Sequence, residues 1–229
     1  DIYNVSTWTD TVGWTKTATT VALGSGKLSF SAGVNDYTHR FKFDQPHAFE
    51  KWQWEVKTIT TQKDATSYGY AFGTESSNST SVNKYGLAVR FIGQTGADQG
   101  KIQLVSITGA ANTATILTTS TTALTYSAND TIIINVRREY GQLTAEAWNA
   151  TTNSGRVSLE YNYAFTTSST VIGNTGNFTI FSIGGTFEVL DTKLTSREIT
   201  NPALVFMADS KFVGYGANEQ RYRAADLVK

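Results

Sequence analysis

In the stretch Gln142 to Trp148, Leu143, Ala145 and Ala147 fall on one parity and Thr144, Glu146 and Trp148 on the other. On a strand, that alternation sets an indole beside a carboxylate on a polar face. Such a pair can stack against the C–H face of a sugar and accept its hydroxyls. The alternative use of Trp148 is to cover a neighbouring loop. Trp8 and Trp14 lie in loop-like sequence near the N-terminus and are candidates for the same platform role. Trp52 and Trp54 share their parity with Val56 and read as core. His39 and His47 are the only histidines. His39 shares its parity with Tyr37, Phe41 and Phe43, which suits a half-buried structural role, and His47 follows Pro46 in an expected loop. Neither has a neighbouring Asp or Ser arranged as a catalytic motif. Glu188 and Asp191 are the nearest approach to a glycosidase's two carboxylates. Their spacing of three puts them on opposite faces of a regular strand. Glu188 is therefore read as solvated and Asp191 as a turn residue.

The elements that must position these residues are short strands. Thr, Ser, Asn and Gly punctuate the sequence, and period-2 alternation recurs between them. It is visible in Asp36 to Phe43, Lys51 to Lys57, Tyr85 to Phe91, Thr131 to Arg137, Gln142 to Trp148 and Val157 to Phe165. Turn signals separate them at Leu23-Gly24-Ser25-Gly26, Gly93-Gln94-Thr95-Gly96, Ser127-Ala128-Asn129-Asp130 and Gly173-Asn174-Thr175-Gly176. Many strands with one buried and one polar face predict an all-β fold, a sandwich of two antiparallel sheets. No fixed-period repeat suggests a propeller or solenoid. After Asn201-Pro202 the pattern changes to a continuous apolar run, Ala203 to Met207, a Gly-containing turn and an expected helix from Glu219. This strand-turn-helix pattern predicts a domain boundary near residue 200.

Charge narrows the partners. Lys+Arg and Asp+Glu both number 19, so the chain carries no net charge to draw in nucleic acid or an anionic membrane. No apolar run approaches the roughly 18 residues of a membrane-spanning helix. The absence of cysteine excludes disulfides and thiolate metal sites.

Two resemblances follow from these stretches. Gly26-Lys27-Leu28-Ser29-Phe30, the Trp-rich Lys51 to Lys57, Gly100-Lys101-Ile102-Gln103-Leu104, and Phe178 to Val189 through Gly184-Gly185 resemble the concanavalin A-like, or laminin-G-like, jelly rolls of carbohydrate-active enzymes. That resemblance implies an accessory domain over residues 1–200 and, as in laminin-G-like domains, a possible structural calcium. Asp98, Asn129 and Asp130 offer oxygen ligands in turns, without a recognisable calcium spacing. Residues 204–216, Leu-Val-Phe-Met-Ala-Asp-Ser-Lys-Phe-Val-Gly-Tyr-Gly, are similar to the first block of SGNH (GDSL-type) hydrolases. In that family the serine at the strand end is the esterase nucleophile, which implies that role for Ser210. Residues 221–227 resemble the family's first helix. Ala208 departs from the glycine usual there, and the blocks that supply the base and the rest of the oxyanion hole are not among the 229 residues. Ser210 is thus expected to act only in a parent chain that continues past Lys229.

The expectation is a noncatalytic carbohydrate-associated module, residues 1–200, ahead of a truncated SGNH hydrolase start or C-terminal extension, residues 201–229. Its expected partners are a polysaccharide or glycan, bound through Trp148, Glu146 and Trp14, and the parent's C-terminal catalytic domain. Neither nucleic acid nor membrane insertion is expected, and no cofactor beyond that calcium. The expected location is extracellular or periplasmic. The competing expectation is a structural or interaction domain of a surface or fibre assembly with no glycan ligand.

Overall fold

The computed structural model describes residues 3–10, 13–16, 21–31, 39–43, 51–61, 67–74, 85–108, 114–139, 141–162 and 177–196. Among them are fifteen strands and no helix: β1 Tyr3–Val5, β2 Trp14–Lys16, β3 Val21–Gly24, β4 Lys27–Phe30, β5 His39–Phe43, β6 Lys51–Ile59, β7 Ser67–Thr74, β8 Tyr85–Ile92, β9 Ile102–Thr108, β10 Ala114–Thr119, β11 Thr131–Glu139, β12 Gln142–Asn149, β13 Ser154–Asn162, β14 Asn177–Ile183 and β15 Phe187–Ser196. The chain divides into two units, Asp1–Ser196 and Arg197–Lys229. The second, with Ser210 and the expected strand-turn-helix, lies outside the described residues, as do Tyr37, His47, Tyr163 and Phe165.

The strands form two antiparallel sheets, as the alternation predicts. The larger, eight-stranded sheet runs β13-β12-β11-β6-β15-β4-β3, with β1 also paired to β15. The seven-stranded sheet runs β10-β9-β8-β7-β14-β5-β2. In each, a late strand is inserted between early ones: β15 between β6 and β4, and β14 between β7 and β5. That interleaving is the jelly-roll arrangement.

Period-2 patterning sets the faces. On β6, Trp52, Trp54, Val56 and Thr58 are buried, while Lys51, Gln53, Glu55, Lys57 and Ile59 are half-buried on the outside. β11 buries Ile132, Ile134, Val136 and also Arg138 in the same way. Two aromatic groups fill the space between the sheets. Phe30, Phe187, Tyr68, Phe91 and Tyr126 form a file with successive ring centroids 4.4, 4.4, 5.5 and 5.1 Å apart. Trp52 and Trp54 both meet Phe178 edge-on, at 5.0 and 5.1 Å. Two buried polar contacts tie the core: Tyr68 Oη lies 2.9 Å from Thr58 Oγ1 across the layers, and Trp54 Nε1 donates to Thr192 Oγ1 at 2.7 Å within the eight-stranded sheet. Burial holds the Tyr68 phenol protonated, well above its ordinary range.

The seven-stranded sheet departs from the expected polar outer face. Leu87, Val89 and Phe91 point to the core, yet the alternate residues Ala88, Val105, Thr179 and Phe181 are buried as well. Its central strands are therefore closed on both sides. A half-buried polar face, by contrast, covers the eight-stranded sheet.

Two tight connections hold the register. The β3–β4 hairpin turns through Ser25 and Gly26, both at positive φ (54° and 75°), as a two-residue hairpin turn requires. Gly100, at φ 80°, receives the Leu124 N–H on its carbonyl at 2.8 Å and donates its own N–H to the Ile92 carbonyl at 2.7 Å. A Cβ there would overlap the Leu124 carbonyl oxygen. Gly100→Ala should lower stability by more than about 1 kcal/mol, because it adds a left-handed side chain to a steric overlap. Urea unfolding of the variant beside the wild type measures this, and an unchanged midpoint would contradict the packing described.

Candidate functional site

The outer face of the eight-stranded sheet carries the residues singled out by their chemistry. On β12, Leu143, Ala145 and Ala147 are buried, while Thr144, Glu146 and Trp148 point outward as expected. Trp148 is half-buried and pairs across strands with Ile133 of β11 on one side and Arg156 of β13 on the other. The Arg156 guanidinium lies over the indole, 4.6 Å from the ring centroid, and its Nη1 donates to Glu146 Oε2 at 3.3 Å. Both charged side chains are at least half exposed, so their bridge contributes little to stability. It does orient the guanidinium as a cover on the ring. Sequence reading found Trp148 and Glu146 together but missed Arg156, whose contact with the ring depends on the β12–β13 register.

Trp14 does not belong to this surface. It opens β2, pairs with Phe43 and is 5% exposed in the core. Its ring lies 6.1 Å from Trp8, edge-on, and 6.4 Å from Trp54. Trp8 is likewise buried, and its backbone N–H donates to the Gly26 carbonyl at 3.0 Å. Both expectations of an exposed platform there are corrected. A three-residue strand is too short to show alternation, and its indole is the most apolar group available to fill the end of the core.

The carboxylates are also rearranged. Asp191 is not in a turn but within β15, and a register shift between Val189 and Asp191 changes the parity. Glu188 opposes Ile59 and Asp191 opposes Lys57, both outward positions of β6, so the two carboxylates share the outer face. A β-bulge produces this by setting two residues against one. Each carboxylate meets a lysine: Glu188 Oε2 lies 2.9 Å from Lys27 Nζ, and Asp191 Oδ2 3.9 Å from Lys57 Nζ. Partial burial raises the Asp191 pKa, and Lys57 only partly opposes that shift. Glu139, at the far end of the face, is held below its ordinary value by hydrogen bonds from Arg137 and then Lys51.

The turn carboxylates Asp98 and Asp130 each accept hydrogen bonds from protein donors. Asp98 takes Lys101 Nζ at 2.9 Å and Gln103 Nε2 at 3.3 Å. Asp130 Oδ2 takes the Ser127 N–H at 2.8 Å and Asn149 Nδ2 at 2.7 Å. Among the described residues, no group of three or more His, Cys, Asp or Glu is placed to hold a metal ion. His39 pairs with Ser182 through the β5–β14 ladder. Among the described residues no helix is long and apolar enough to cross a membrane.

No protein-family model matches the sequence, and no curated protein does. Solved structures do match the fold. Basic winged bean lectin, in a complex with Tn-antigen, superposes with a TM-score of 0.63 at 9% identity, over 84% of this chain and 96% of its own. The exoplasmic/lumenal domain of VIP36, in a Ca²⁺/Man3GlcNAc-bound form, gives 0.59 at 13% identity, over 88% and 92%. A Bacillus subtilis protein of unknown function with a galectin-like fold gives 0.62 at 9%, over 85% and 95%. The described residues thus share the jelly-roll sandwich fold of these lectin and galectin-like structures. At these identities the likeness is one of fold.

Asp191 generates a pH prediction. Its folded pKa is raised, so the native state binds the proton more tightly than the unfolded chain. The stability this proton contributes is present below about pH 3.9, the ordinary Asp value, and is lost as pH rises through the folded pKa. Asp191→Asn should remove that loss, so its urea midpoint should rise relative to wild type between acid and neutral pH. Parallel midpoints at every pH would show that Asp191 is not buried as described.

Proposed function

We propose that residues 1–200 are a noncatalytic carbohydrate-binding module that holds glycan on the outer face of its eight-stranded sheet. The observation that carries this reading is Trp148 beside Glu146 on the exposed side of a lectin-type sandwich. Fold by itself does not establish a ligand. The site adds to it an aromatic ring for sugar C–H groups, a carboxylate to accept hydroxyls, and a guanidinium that a sugar would displace from the ring. That several fold neighbours are lectins, two of them solved with Tn-antigen and with galactose, supports the same class of ligand.

In this reading the module precedes an SGNH-type carbohydrate esterase in an exported, extracellular or periplasmic parent protein. Ser210 would attack the acyl carbonyl of an esterified polysaccharide. The module would keep the enzyme on its substrate. In a parent chain that continues past Lys229 into a complete hydrolase, Ser210→Ala should abolish release of acetate from acetylated polysaccharide while leaving polysaccharide retention unchanged. Persistence of the activity would remove Ser210 from the mechanism.

Affinity electrophoresis through polysaccharide gels tests the binding claim. Trp148→Ala should lose retention, whereas Arg156→Ala, which uncovers the ring, should be retained a few-fold more strongly. Free migration of the wild-type protein in every gel would overturn the reading. The paired charges that lace the outer face favour one second reading, a structural or interaction domain of a surface or fibre assembly without a glycan. It predicts concentration-dependent oligomers by light scattering that sugars do not affect.

A further inference from the structure

Three strands from Trp148, the same outer face sinks into a concave depression of about 240 Å³. Small side chains make it. Ala22 of β3, Ser29 of β4 and Glu188 of β15 stand in one cross-strand row, which continues to Ile59 of β6. Ser31, Thr61 and Thr186 line its end, where the Thr61 hydroxyl donates to Thr186 Oγ1 at 3.0 Å. Beneath the row the stacked pair Phe30 and Phe187, with centroids 4.4 Å apart, anchors β4 to β15 and keeps the floor fixed.

Two polar atoms in this depression retain hydrogen-bonding capacity. Glu188 Oε2 is occupied by Lys27, but Oε1 has no partner among the described residues, and neither has Ser29 Oγ. Directly opposed residues on neighbouring strands bring their side chains within about 5 Å. The Lys27–Glu188 pair carries no net charge, which offers neither a bare cation nor an anion a reason to bind. The wall is largely carbon, with hydroxyls at its end.

We propose that this depression is a binding site for the terminal ring of a neutral saccharide. Its C–H face would rest on the carbon wall while adjacent hydroxyls engage Glu188 Oε1 and Ser29 Oγ. The volume falls below the roughly 300–1,000 Å³ of pockets that enclose drug-sized ligands, which suits one ring and not an oligomer. Glu188 supplies a charge-assisted acceptor and Ser29 a hydroxyl that both donates and accepts, the complement of a vicinal diol. The register then gives the rest of the chain a direction. The Glu188–Ile59–Thr131 row runs beside the Asp191–Lys57–Ile133–Trp148 row. A glycan with its end in the depression and its body across the strands would meet Trp148 after three strand spacings of about 4.8 Å, roughly 14 Å away. The site therefore rests on the carbohydrate-binding reading and refines it from a surface that binds glycan to one that reads a chain end.

The test uses the full chain and four probes, the methyl glycosides of mannose, galactose, fucose and N-acetylglucosamine, each titrated in turn against the ¹⁵N-labelled protein. At least one should shift the backbone amides of Ser29, Thr61, Thr186 and Glu188 in a saturable way. Ser29→Phe, which fills the depression, should abolish those shifts, and Glu188→Gln, which keeps the shape, should weaken binding about tenfold. Both positions face outward, and the amide spectrum of each variant reports whether it is folded. If polysaccharide gels retain wild type and Ser29→Phe equally, or glycoside shifts appear only elsewhere, the depression is not the site although the module binds glycan. If neither glycosides nor polysaccharides bind, the carbohydrate reading and this site fail together.

Discussion

Strands β6 and β15 lie side by side at the middle of the larger sheet, and most of what is distinctive here depends on that pairing. Their contact joins positions 138 apart in sequence at the Trp54–Thr192 hydrogen bond. It cannot form until every strand between them has been bypassed or folded. Thr192 Oγ1 both accepts from the Trp54 indole and donates to the Glu55 carbonyl at 3.2 Å, so one hydroxyl ties a core aromatic to the ladder that carries it. Because β15 also pairs with β4 and β1, the same strand fixes the N-terminal part of the sheet. Contacts of such long range are costly in loop entropy and characterise slowly folding β sandwiches.

The two sheets then take different roles. Aromatic rings from both sheets meet in the file from Phe30 to Tyr126, and the Tyr68–Thr58 hydrogen bond adds a polar tie between layers. The seven-stranded sheet has its central strands buried on both sides, with Ala88, Val105 and Phe181 filling positions that an exposed sheet would give to polar residues. The eight-stranded sheet is left as the open face. Its charges are laid out in cross-strand pairs, Lys51 with Glu139 and Lys57 with Asp191 among them, which leaves indole, hydroxyl and carboxylate groups to distinguish one part of the surface from another.

The bulge in β15 shows how one backbone irregularity redistributes chemistry. Without it, Glu188 and Asp191 would point to opposite sides of the sheet, and one of them would have to be buried in the core. With it, both stand outside, each beside a lysine, and the hydrophobic parity of Val189, Thr192 and Leu194 is kept on the inside. The cost of burying an unpaired carboxylate is large enough to make the irregular strand the more favourable arrangement.

The amino-acid pattern assigns the faces of the long strands. Alternation is a local property, so Trp52 and Trp54 were legible as core, and Trp148 and Glu146 as outward, before any pairing was known. It also determined the two-sheet architecture, through the number of strands and the turns between them. Tertiary structure alone decided what lies next to what. Arg156 covers Trp148 only because β12 and β13 pair in one register, and Trp14 is core only because a three-residue strand docks against β5. The depression at Ser29 and Glu188 exists only because small residues from β3, β4 and β15 fall into one row. Periodicity assigns a side chain to a face, but neighbours across strands are set by register and bulges, and these are fixed by the packing of the whole sandwich.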